Sequence, residues 1–589
     1  MSRHEVPVAA TGLLQSFAEA TMIAPADFHL ARRMASLSQE SDPRVELALA
    51  LATRELRLGS VCLDLLTAPG LAPESGIEDG AVDGTPPDLP WPEPEPWLAA
   101  VSASPAVAAP GEAARPFRLV GSLLYLDRYW SEERTVESRL RHRTALPARP
   151  IDDAHLERAR QPLPGMDQDD HQDAAVLCAL THPSTVITGG PGTGKTTTVA
   201  RILGGLADAA NPPLVALAAP TGKAATRLMS AVSDALPTRD GLRLRGETLH
   251  RLLGVVPGRS HRVHNRDNLL PHDVVIVDET SMVSLTMMSW LLEAVSDGTR
   301  LILIGDPQQL ASVEAGAVLA DIAASQDLVA SADGPTVVEL QRNRRSNQEI
   351  GDLSAAIRDG DADRAVALLA SGATCTLEGY DGTGDIHDQP VLLADLLSTT
   401  AAVREAALRG DGPAANDALG RHRVLCAHRE GPFGVTRWAR AARLWLSDQF
   451  PDYGRTAGAW VGQPLLITRN SDTAANGDTA VVVEVQGRLM ASVDRAQGPL
   501  LVDPVLLDDA ADLHAMTIHK SQGSQFDIVS VVLPPLGSPL LTRELLYTAI
   551  TRARSEVRIY GSEAALRVAV ETPARRASGL GRSDAIHPD

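Results

Sequence analysis

Residues 184–200 read STVITGGPGTGKTTTVA, and this stretch decides the fold of the chain around it. The apolar and β-branched residues up to Ile187 predict a strand, the glycines that follow predict a loop, and a helix is expected to begin at Lys195. Gly189 opens the pattern G-x-x-x-x-G-K-T, which ends at Thr196 and is the full phosphate-binding loop pattern. The stretch therefore predicts an α/β domain that holds a nucleotide at the end of a strand.

The loop also assigns the parts of a nucleotide site. Lys195 is predicted to reach the outer phosphates of ATP, and the Thr196 hydroxyl is predicted to ligate Mg²⁺. Gln172, on the preceding helix, has the paired donor and acceptor that an adenine edge needs. A glycine-rich turn that binds nothing is the alternative, and the order of strand, loop and helix argues against it. The predicted nucleotide-binding residues are Gln172, Gly189, Gly190, Pro191, Gly192, Thr193, Gly194, Lys195, Thr196 and Thr197.

The composition sets limits on the whole chain. Its 589 residues, 44% of them hydrophobic, are enough for several packed domains. No apolar run is long enough to span a bilayer, and the N-terminal sequence MSRHEVPVAA lacks the pattern of a signal peptide, so we expect a soluble, cytoplasmic protein. The four cysteines form no CxxC pair, which disfavours a zinc or iron–sulfur site.

The charge pattern favours a narrow rather than a broad phosphate-binding surface. A net charge of −20 argues against a protein that coats DNA through a basic face. Of the 54 basic residues, only three are lysines, namely Lys195, Lys223 and Lys520. All three lie in motifs with phosphate-binding character, where a broad guanidinium does not replace a compact ammonium.

A second strand, loop and helix follow the first. The segment LVALAAPTGKAATRL places Thr221 and Lys223 directly after an apolar strand. Ligands of an open α/β sheet gather at the carboxyl ends of its strands, so both side chains are expected to face the nucleotide crevice. A phosphate of a polynucleotide backbone is the expected ligand. Thr248 and His250 in GETLHRLLG are candidates for the same track, with a packing role as the alternative for His250.

Two more predicted strands end in acidic and amide side chains. The strand VVIV at 274–277 is followed by Asp278 and Glu279. Asp278 is predicted to hold Mg²⁺ together with Thr196, and Glu279 to orient and deprotonate the attacking water. Gln309, after the strand in LILIGDPQQL, is predicted to sense the γ-phosphate.

A second unit is predicted to begin near Thr336. LLYTAITRARS places Arg552 and Arg554 at one helix end. An arginine that reaches the nucleotide from a second domain lets hydrolysis open and close a cleft, and Arg552 is the favoured candidate. The segment NGDTAVVVEVQGRLMASVD alternates with a period of two residues and predicts a small inserted β barrel.

Seven motifs now stand in a fixed order: GGPGTGKT, APTGKAA, TLHRLLG, VDETSM, GDPQQL, TIHKSQG and YTAITRAR. They resemble the superfamily 1 DNA helicases. With the N-terminal pieces YLDRYWSEERTVE and SVCLDLL, the chain most closely resembles the RecD family, the alpha subunits of exodeoxyribonuclease V. The resemblance implies two RecA-like domains that grip single-stranded DNA, 5′-to-3′ translocation driven by ATP, and assembly with RecB-like and RecC-like subunits at duplex DNA ends in double-strand break repair.

The resemblance also assigns roles by position, with two departures. The aromatic residues that the family places around Arg345 are replaced by Arg344 and Ser346, which leaves open which arginine senses the phosphate. Gln525 stands where the family commonly has Glu, so its contact with a ribose hydroxyl lacks a charge. The catalytic residues implied are Lys195, Asp278, Glu279, Gln309, Arg345 and Arg552, and the DNA-binding residues are Thr221, Lys223, Thr248, His250, Thr517, His519, Lys520 and Ser521.

The predicted architecture is α/β, with two RecA-like phosphate-loop motor domains, a small inserted β barrel and a helical N-terminal domain. The predicted division is 1–68, a helical partner-binding domain; 69–116, a Pro/Gly/acid-rich linker; 117–160, the remainder of the N-terminal domain; 161–330, the first motor domain with a small insertion near 255–270; 331–573, the second motor domain with an SH3-like barrel near 460–512; and 574–589, a disordered tail.

Three functional hypotheses follow. The first is a helicase subunit of a RecBCD-type complex, the second a free-standing helicase of the same type, and the third a structural or regulatory subunit with a vestigial ATPase. The intact motor motifs argue against the third. A nuclease centre of the RecB type needs an acid two residues before a lysine, and these positions hold Thr193, Thr221 and Ile518, so exonuclease activity is expected only in the assembled enzyme.

Overall fold

The computed structural model describes residues 6–582 except 8–9, 75–87, 164–166, 237–240, 257–260, 332–333, 343–346, 385, 455–457, 472, 496–497 and 508. Four sheets of four to six strands order this part of the chain. Two of these sheets are parallel throughout, and helices cover them. The expectation of an α/β fold with a helical N-terminal region is confirmed. Short 3-10 helices lie at Ala68–Gly70, Thr280–Met282, Ile386–Asp388 and Pro504–Leu506.

The N-terminal part combines a helical core with a four-stranded sheet of order β1-β4-β3-β2. The central helix, α3, is buried along almost its whole length because its sequence LALALA presents an apolar residue at every position. The elements are α1 (Gly12–Glu19), α2 (Pro25–Leu37), α3 (Pro43–Arg57), β1 (Cys62–Asp64), α4 (Pro94–Ala103), β2 (Val107–Ala108), β3 (Phe117–Val120), β4 (Leu123–Leu126), α5 (Asp127–Thr144) and α6 (Asp153–Arg160).

The prediction of an extended linker over 69–116 is wrong for its second half. Helix α4 begins with a proline in its first turn, where the missing amide hydrogen breaks no helical bond. Trp97 and Val101, one turn apart, are fully buried, and the Trp97 indole donates to the Arg44 carbonyl oxygen at 2.8 Å. The Pro-rich composition therefore conceals an amphipathic helix that completes the N-terminal core.

The first parallel sheet carries the phosphate-binding loop, in the strand order β12-β5-β9-β8-β6-β7. Its edge strand β12 pairs with β5, so this sheet extends past the boundary predicted at 330. A chain that leaves the sheet and returns to its edge carries no local signal of a boundary. The elements are α7 (Asp170–Thr181), β5 (Ser184–Gly189), α8 (Lys195–Leu206), β6 (Leu214–Ala219), α9 (Gly222–Ala235), β7 (Arg243–Thr248), α10 (Leu249–Leu252), β8 (Val274–Val277), α11 (Leu285–Ala294), β9 (Arg300–Gly305), α12 (Val318–Ala324), α13 (Gln326–Val329), β10 (Ala330–Ser331), β11 (Gly334–Pro335) and β12 (Val337–Leu340).

The second parallel sheet has the order β13-β22-β21-β14-β20, and a five-stranded antiparallel sheet is inserted between β14 and β20. The inserted sheet has the order β18-β17-β16-β15-β19. The elements are α14 (Gln348–Asp359), α15 (Ala362–Ser371), β13 (Cys375–Glu378), α16 (Pro390–Leu408), α17 (Gly412–Leu419), β14 (His422–Cys426), α18 (Val435–Gln449), β15 (Pro464–Ile467), β16 (Thr479–Val485), β17 (Arg488–Val493), β18 (Leu500–Val502), β19 (Ala510–Asp512), β20 (Ala515–Thr517), α19 (Ile518–Ser521), β21 (Phe526–Val532), α20 (Arg543–Ile550), β22 (Ala553–Tyr560) and α21 (Glu563–Glu571).

The prediction of a disordered tail over 574–589 is wrong for residues 574–582, which we call the C-terminal strap. The strap leaves the second parallel sheet after α21 and docks on the N-terminal part. Glu133 Oε1 accepts hydrogen bonds from the Ser578 hydroxyl at 2.7 Å and from the Gly579 and Leu580 amides at 3.0 Å each. Leu580 is 6% exposed and joins the core beneath β4 and α5. Polar bonds and one apolar anchor therefore hold the strap, although its composition is typical of disorder.

Where the strap docks, the stability of the fold is expected to depend on pH through Asp321 of α12, which interacts with Ser578 and Arg582 of the strap. Burial, together with the charge of Glu133, raises the pKa of Asp321 to about 7, although Ser578 and Arg582 oppose this shift. A raised Asp pKa means that the folded state favours the protonated form, so the free energy of unfolding falls as the pH rises from about 4 to neutral. We expect Asp321→Asn to raise the thermal midpoint by about 5 °C at pH 8 and to leave it nearly unchanged at pH 4. Thermal melts at both pH values test this, with exposed Asp267→Asn as the control; equal shifts at both pH values contradict it.

Candidate nucleotide site and nucleic-acid track

The phosphate-binding loop lies between the end of β5 and the start of α8, as its sequence predicts. Gly192 and Gly194 adopt φ angles of +80° and +90°, a left-handed conformation that favours glycine. A Cβ atom added at Gly194 would lie 2.3 Å from Gln172 Nε2, so the tight packing there requires glycine. Glycine at these positions leaves no side chain between the backbone of the loop and a phosphate bound at the start of α8.

Lys195 lies across this loop. Its Nζ donates to the carbonyl oxygens of Gly189 at 2.5 Å and Gly190 at 2.9 Å. A phosphate at the loop would offer the ammonium a charged acceptor in place of these two neutral ones, and charge-assisted hydrogen bonds are the stronger. The ammonium therefore lies at the loop itself, and its contact with the outer phosphates stays a prediction.

Gln172 has a different contact from the predicted adenine edge. Its side chain is 2% exposed, and Nε2 donates to the Thr193 carbonyl oxygen at 3.3 Å. The amide thus braces the back of the phosphate loop. A helix residue next to a loop in sequence offers the same pattern whether it faces the ligand or the loop, so the sequence could not separate the two roles.

The acidic pair lies at the end of β8. Glu279 has a φ of +51°, which is uncommon for a residue with a side chain and turns the chain sharply beside the site. The Glu279 amide donates to Asp278 Oδ1 at 2.9 Å. Burial and the neighbouring Glu279 charge raise the pKa of Asp278 above its ordinary value, and the hydrogen bond from the Glu279 amide and the charges of Lys195 and Arg227 act against this rise. Two adjacent, partly buried carboxylates supply the oxygen ligands that a hard divalent cation prefers.

A ring of polar side chains joins the two parallel sheets at this site. Arg552 Nη2 donates to Gln309 Oε1 at 2.8 Å, so the favoured arginine of the second half touches the predicted γ-phosphate sensor of the first. Gln309 Nε2 donates to Asp306 Oδ2 at 3.0 Å, and the Tyr547 hydroxyl donates to the same oxygen at 3.1 Å. Asp306 and Tyr547 are not among the site residues predicted from the sequence. The position of Asp306 directly after the buried strand β9, like that of Asp278 after β8, was the available signal.

A second contact between the halves involves Gln525. Its Oε1 accepts a hydrogen bond from Arg227 Nη2 at 2.8 Å, and Arg227 projects from α9 of the first half. Arg227 was also missed, because an arginine on a helix surface has no local mark of function. The cavity before the phosphate loop is lined by Gly190, Pro191, Gly192, Gly194, Lys195, Thr196, Ala224, Arg227, Leu228, Asp278, Glu279, Gln309, Gly523, Gln525 and Arg552.

Three threonines of the predicted nucleic-acid track share one local structure. Each of the three caps the helix that follows a strand: Thr248 and Thr517 are the last residues of their strands, and Thr221 lies two residues after the end of β6. Their hydroxyls accept a hydrogen bond from the amide three residues later, at 3.2 Å for Thr221 and 3.3 Å for the other two. The same step from strand to helix N-terminus therefore recurs on both parallel sheets, and helix N-termini favour phosphate.

The charged residues of the track lie in unequal environments. His250 and Lys520 are exposed, and His519 is partly buried. Burial, with the charges of Arg576 and Arg429, lowers the pKa of His519, which favours its neutral form.

Lys223 faces the inserted sheet. Burial lowers the pKa of Lys223, while the carboxylates of Asp494 and Asp478 act in the opposite direction.

Two predicted residues need separate mention. Ser521 is fully buried and its hydroxyl donates to the Ile518 carbonyl oxygen at 2.7 Å, so the prediction that it contacts DNA is wrong for this conformation. A short polar residue inside a motif can serve the helix as well as a ligand. Arg345 lies outside the described residues, as do Arg344 and Ser346.

Other site classes have little support in the structure. Over the described ranges, no group of three or more His, Cys, Asp and Glu side chains could hold a metal ion. The four cysteines are buried free thiols. Among the described helices, none is both long and apolar enough to cross a bilayer.

Comparison with known proteins identifies the family of this chain. Three family profiles match the chain: an AAA domain over 167–377, the N-terminal domain of the RecBCD enzyme subunit RecD over 19–125, and a UvrD-like helicase C-terminal domain over 512–560. The Bacteroides Pif1 helicase in complex with ADP-AlF3 and ssDNA is a solved structure with 17% identity, covering 69% of this chain and 94% of its own, at a TM-score of 0.38.

The sequence relatives are much closer. The RecBCD enzyme subunit RecD of Mycolicibacterium smegmatis is 47% identical, over 96% of this chain and 98% of its own length. That of Mycobacterium tuberculosis is 46% identical over 97% of both chains. The ATP-dependent RecD2 DNA helicase of Deinococcus radiodurans is 30% identical over 68% of this chain and 50% of its own. The resemblance that the motifs indicate is confirmed, and the chain belongs to the RecD family of RecBCD enzyme subunits.

Proposed function

We propose that this chain is an ATP-driven 5′-to-3′ DNA helicase subunit of a RecBCD-type complex that processes double-strand ends for homologous recombination. The observation that carries the proposal is the hydrogen bond between Arg552 and Gln309, because it joins the two parallel sheets directly beside the phosphate-binding loop. A nucleotide that enters or leaves this place changes the contact between the halves.

The residues of the site divide the chemistry among them. Lys195 and the loop amides hold the phosphates, and Glu279 orients and deprotonates the attacking water. Thr196 and Asp278 would hold Mg²⁺, which supplies charge neutralisation between the phosphates when bound. Arg552 stabilises the charge that develops on the transferred phosphoryl group, and Gln309 reports its presence. Arg345 remains our proposed second cation for the γ-phosphate.

Hydrolysis drives movement by changing the cleft between the halves. The proposed track for single-stranded DNA runs along the helix N-termini at Thr221, Thr248 and Thr517, with Lys223, His250, His519 and Lys520 beside them. When the cleft closes on ATP and reopens after hydrolysis, grip alternates between the track of the first half and that of the second. The direction, 5′ to 3′, comes from the family alone.

The domain division enters the proposal in revised form. We take the first motor domain to end after β12 and the second to begin at α14. The inserted antiparallel sheet at 464–512 is proposed to be the SH3-like barrel, and the acidic side chains that face Lys223 from this insertion support a position beside the proposed DNA track. The helical N-terminal part is the proposed binding face for RecB-like and RecC-like subunits, because it carries neither phosphate loop nor track residue.

Unwinding assays test the proposal. Duplexes with either a 5′ or a 3′ single-stranded tail are incubated with ATP and Mg²⁺ and the chain, alone and then with RecB-like and RecC-like subunits. We expect unwinding from the 5′ tail, and Lys195→Gln serves as the control because it removes the ammonium that is proposed to hold the phosphates. Unwinding that requires the partners supports a subunit, and efficient unwinding by the chain alone supports a free-standing helicase. ATP binding without unwinding in either setting supports the structural role instead.

A further inference from the structure

Tyr547 is the member of the polar ring whose hydroxyl lies against Gly190 of the phosphate-binding loop. Its side chain is 5% exposed, and a Cβ atom added at Gly190 would lie 3.0 Å from its hydroxyl oxygen. The hydroxyl therefore lies against the bare backbone of the loop. On its other side it donates to Asp306 Oδ2 at 3.1 Å. One phenol thus bridges the nucleotide-binding loop of the first half and the polar ring.

Three hydrogen bonds donated by neighbouring groups stabilise the buried carboxylate of Asp306. The carboxylate is 2% exposed and accepts from the Gln308 amide at 3.1 Å, from Gln309 Nε2 at 3.0 Å and from Tyr547. Burial raises the pKa of Asp306, while the charge of Lys195 and these hydrogen bonds oppose the rise. A buried carboxylate that loses a donor is costly, so the ring is stable only when its members keep their places.

The ring fixes which way the Gln309 amide points. Its nitrogen is held by the Asp306 carboxylate, and this turns its oxygen toward Arg552 Nη2. An amide whose nitrogen lost that acceptor could rotate, and its oxygen would then leave the guanidinium. The orientation of Asp306 therefore decides whether Gln309 and Arg552 meet.

We propose that Tyr547 is a positioning residue of the ATPase, which holds Asp306 so that Gln309 presents its oxygen to Arg552 when the phosphate loop is filled. Two members of the ring come from the second half: Tyr547 lies in α20, and Arg552 lies two residues after the end of this helix. A shift of α20 relative to the loop consequently moves both contacts together. The proposal rests on the ATPase of the proposed function and adds to it the link between loop occupancy and the arginine.

The test is Tyr547→Phe in the full chain, assayed for ATP hydrolysis with single-stranded DNA. Loss of the hydroxyl leaves the binding contacts of Lys195 in place but frees Asp306, so kcat should fall about 10- to 100-fold while KM for ATP stays within about twofold. Tyr380→Phe is the matched control: Tyr380 is 6% exposed in the second half and donates to the Pro432 carbonyl oxygen at 2.9 Å. It should retain kcat.

A double-mutant cycle with Asp306→Asn separates positioning from a general structural role. If Tyr547 acts through Asp306, adding Tyr547→Phe to the Asp306→Asn variant should lower kcat little further. Independent, multiplicative losses overturn the proposal, as does an unchanged kcat or a loss of equal size in the Tyr380 control. An unmutated chain that hydrolyses no ATP with DNA, alone or with its partner subunits, overturns the proposed function itself. An unmutated chain that is an active ATPase, but whose kcat is unchanged by Tyr547→Phe, overturns only the role of Tyr547.

Discussion

Replacing Arg552 with lysine is expected to lower kcat for ATP hydrolysis by about 10³-fold and to change KM for ATP by less than about threefold. The guanidinium is 3% exposed and divides its donors: Nη2 bonds Gln309, Nε bonds the Thr548 carbonyl oxygen at 3.1 Å, and Nη1 approaches the Ser524 carbonyl oxygen at 3.4 Å. A lysine ammonium keeps the charge but presents its donors from a single point. The ammonium cannot bond the end of α20 and Gln309 at the same time. Its positive charge would therefore not be fixed next to the negative charge that develops on the transferred phosphoryl group.

Arg554→Lys is the matched control for this change. Arg554 lies two residues further along, its side chain is 55% exposed, and it pairs with Asp527 at 3.3 Å. An exposed ion pair contributes at most about 1 kcal/mol, so this variant should hydrolyse ATP at nearly the native rate. Steady-state ATPase assays with saturating single-stranded DNA compare the two. Similar rates for both variants, or a large rise in KM with kcat retained for Arg552→Lys, would show that Arg552 acts in binding or folding rather than in the chemical step.

The parts of the site that the sequence predicts are those made by one local segment. The runs VVIV and LILI are strands buried on both faces, and such strands read as continuous apolar sequence. Each ends in a polar motif because the carboxyl ends of parallel strands meet at one edge. The phosphate loop, the acidic pair at Asp278 and the three threonine caps follow from short-range rules of this kind. For the same reason, the family motifs suffice to place Lys195 and Gln309 at a common edge.

The parts that the sequence does not predict are pairings between distant segments. Tyr547 and Asp306 are 241 residues apart, and Arg227 and Gln525 are 298 apart. No periodicity records which helix surface meets which loop, so these partners appear only when the two halves are packed. The sequence also does not show whether a single polar residue inside a motif is buried. For this reason the contacts of Gln172 and Ser521 in the structure differ from the predicted ones.

The C-terminal strap shows the same limit at the scale of a whole segment, and its removal should have a large effect on stability. Truncation after Pro573 is expected to lower the free energy of unfolding of the N-terminal part by about 3–5 kcal/mol, because it removes three hydrogen bonds to the Glu133 carboxylate together with the buried side chain of Leu580. Burial already raises the pKa of Glu133, so its charged form depends on those donors. Urea unfolding followed by fluorescence of the N-terminal tryptophans measures the change.

Two point variants distinguish the charge from the apolar anchor. Leu580→Ala alone should lower the free energy of unfolding by about 2–3 kcal/mol, since the side chain is almost fully buried. Glu133→Gln replaces the charge-assisted hydrogen bonds from the strap with weaker neutral ones, so truncation should be less destabilising in that background by about 1–3 kcal/mol. Equal losses in both backgrounds would show that the strap acts only through its apolar contact.

The strap has a second attachment that links this stability to the motor. Arg576 Nη1 donates to the Ser312 carbonyl oxygen at 2.6 Å and to the Glu314 carbonyl oxygen at 3.2 Å, in the loop that follows Gln309. The segment therefore leaves the second half, braces a loop of the first, and ends on the N-terminal part. Truncation removes all these ties at once, so the truncated chain should lose DNA-stimulated ATPase activity at urea concentrations where the full chain retains it. A truncated chain with native resistance to urea in both assays would mean that the strap contributes neither to folding nor to the alignment of the two halves.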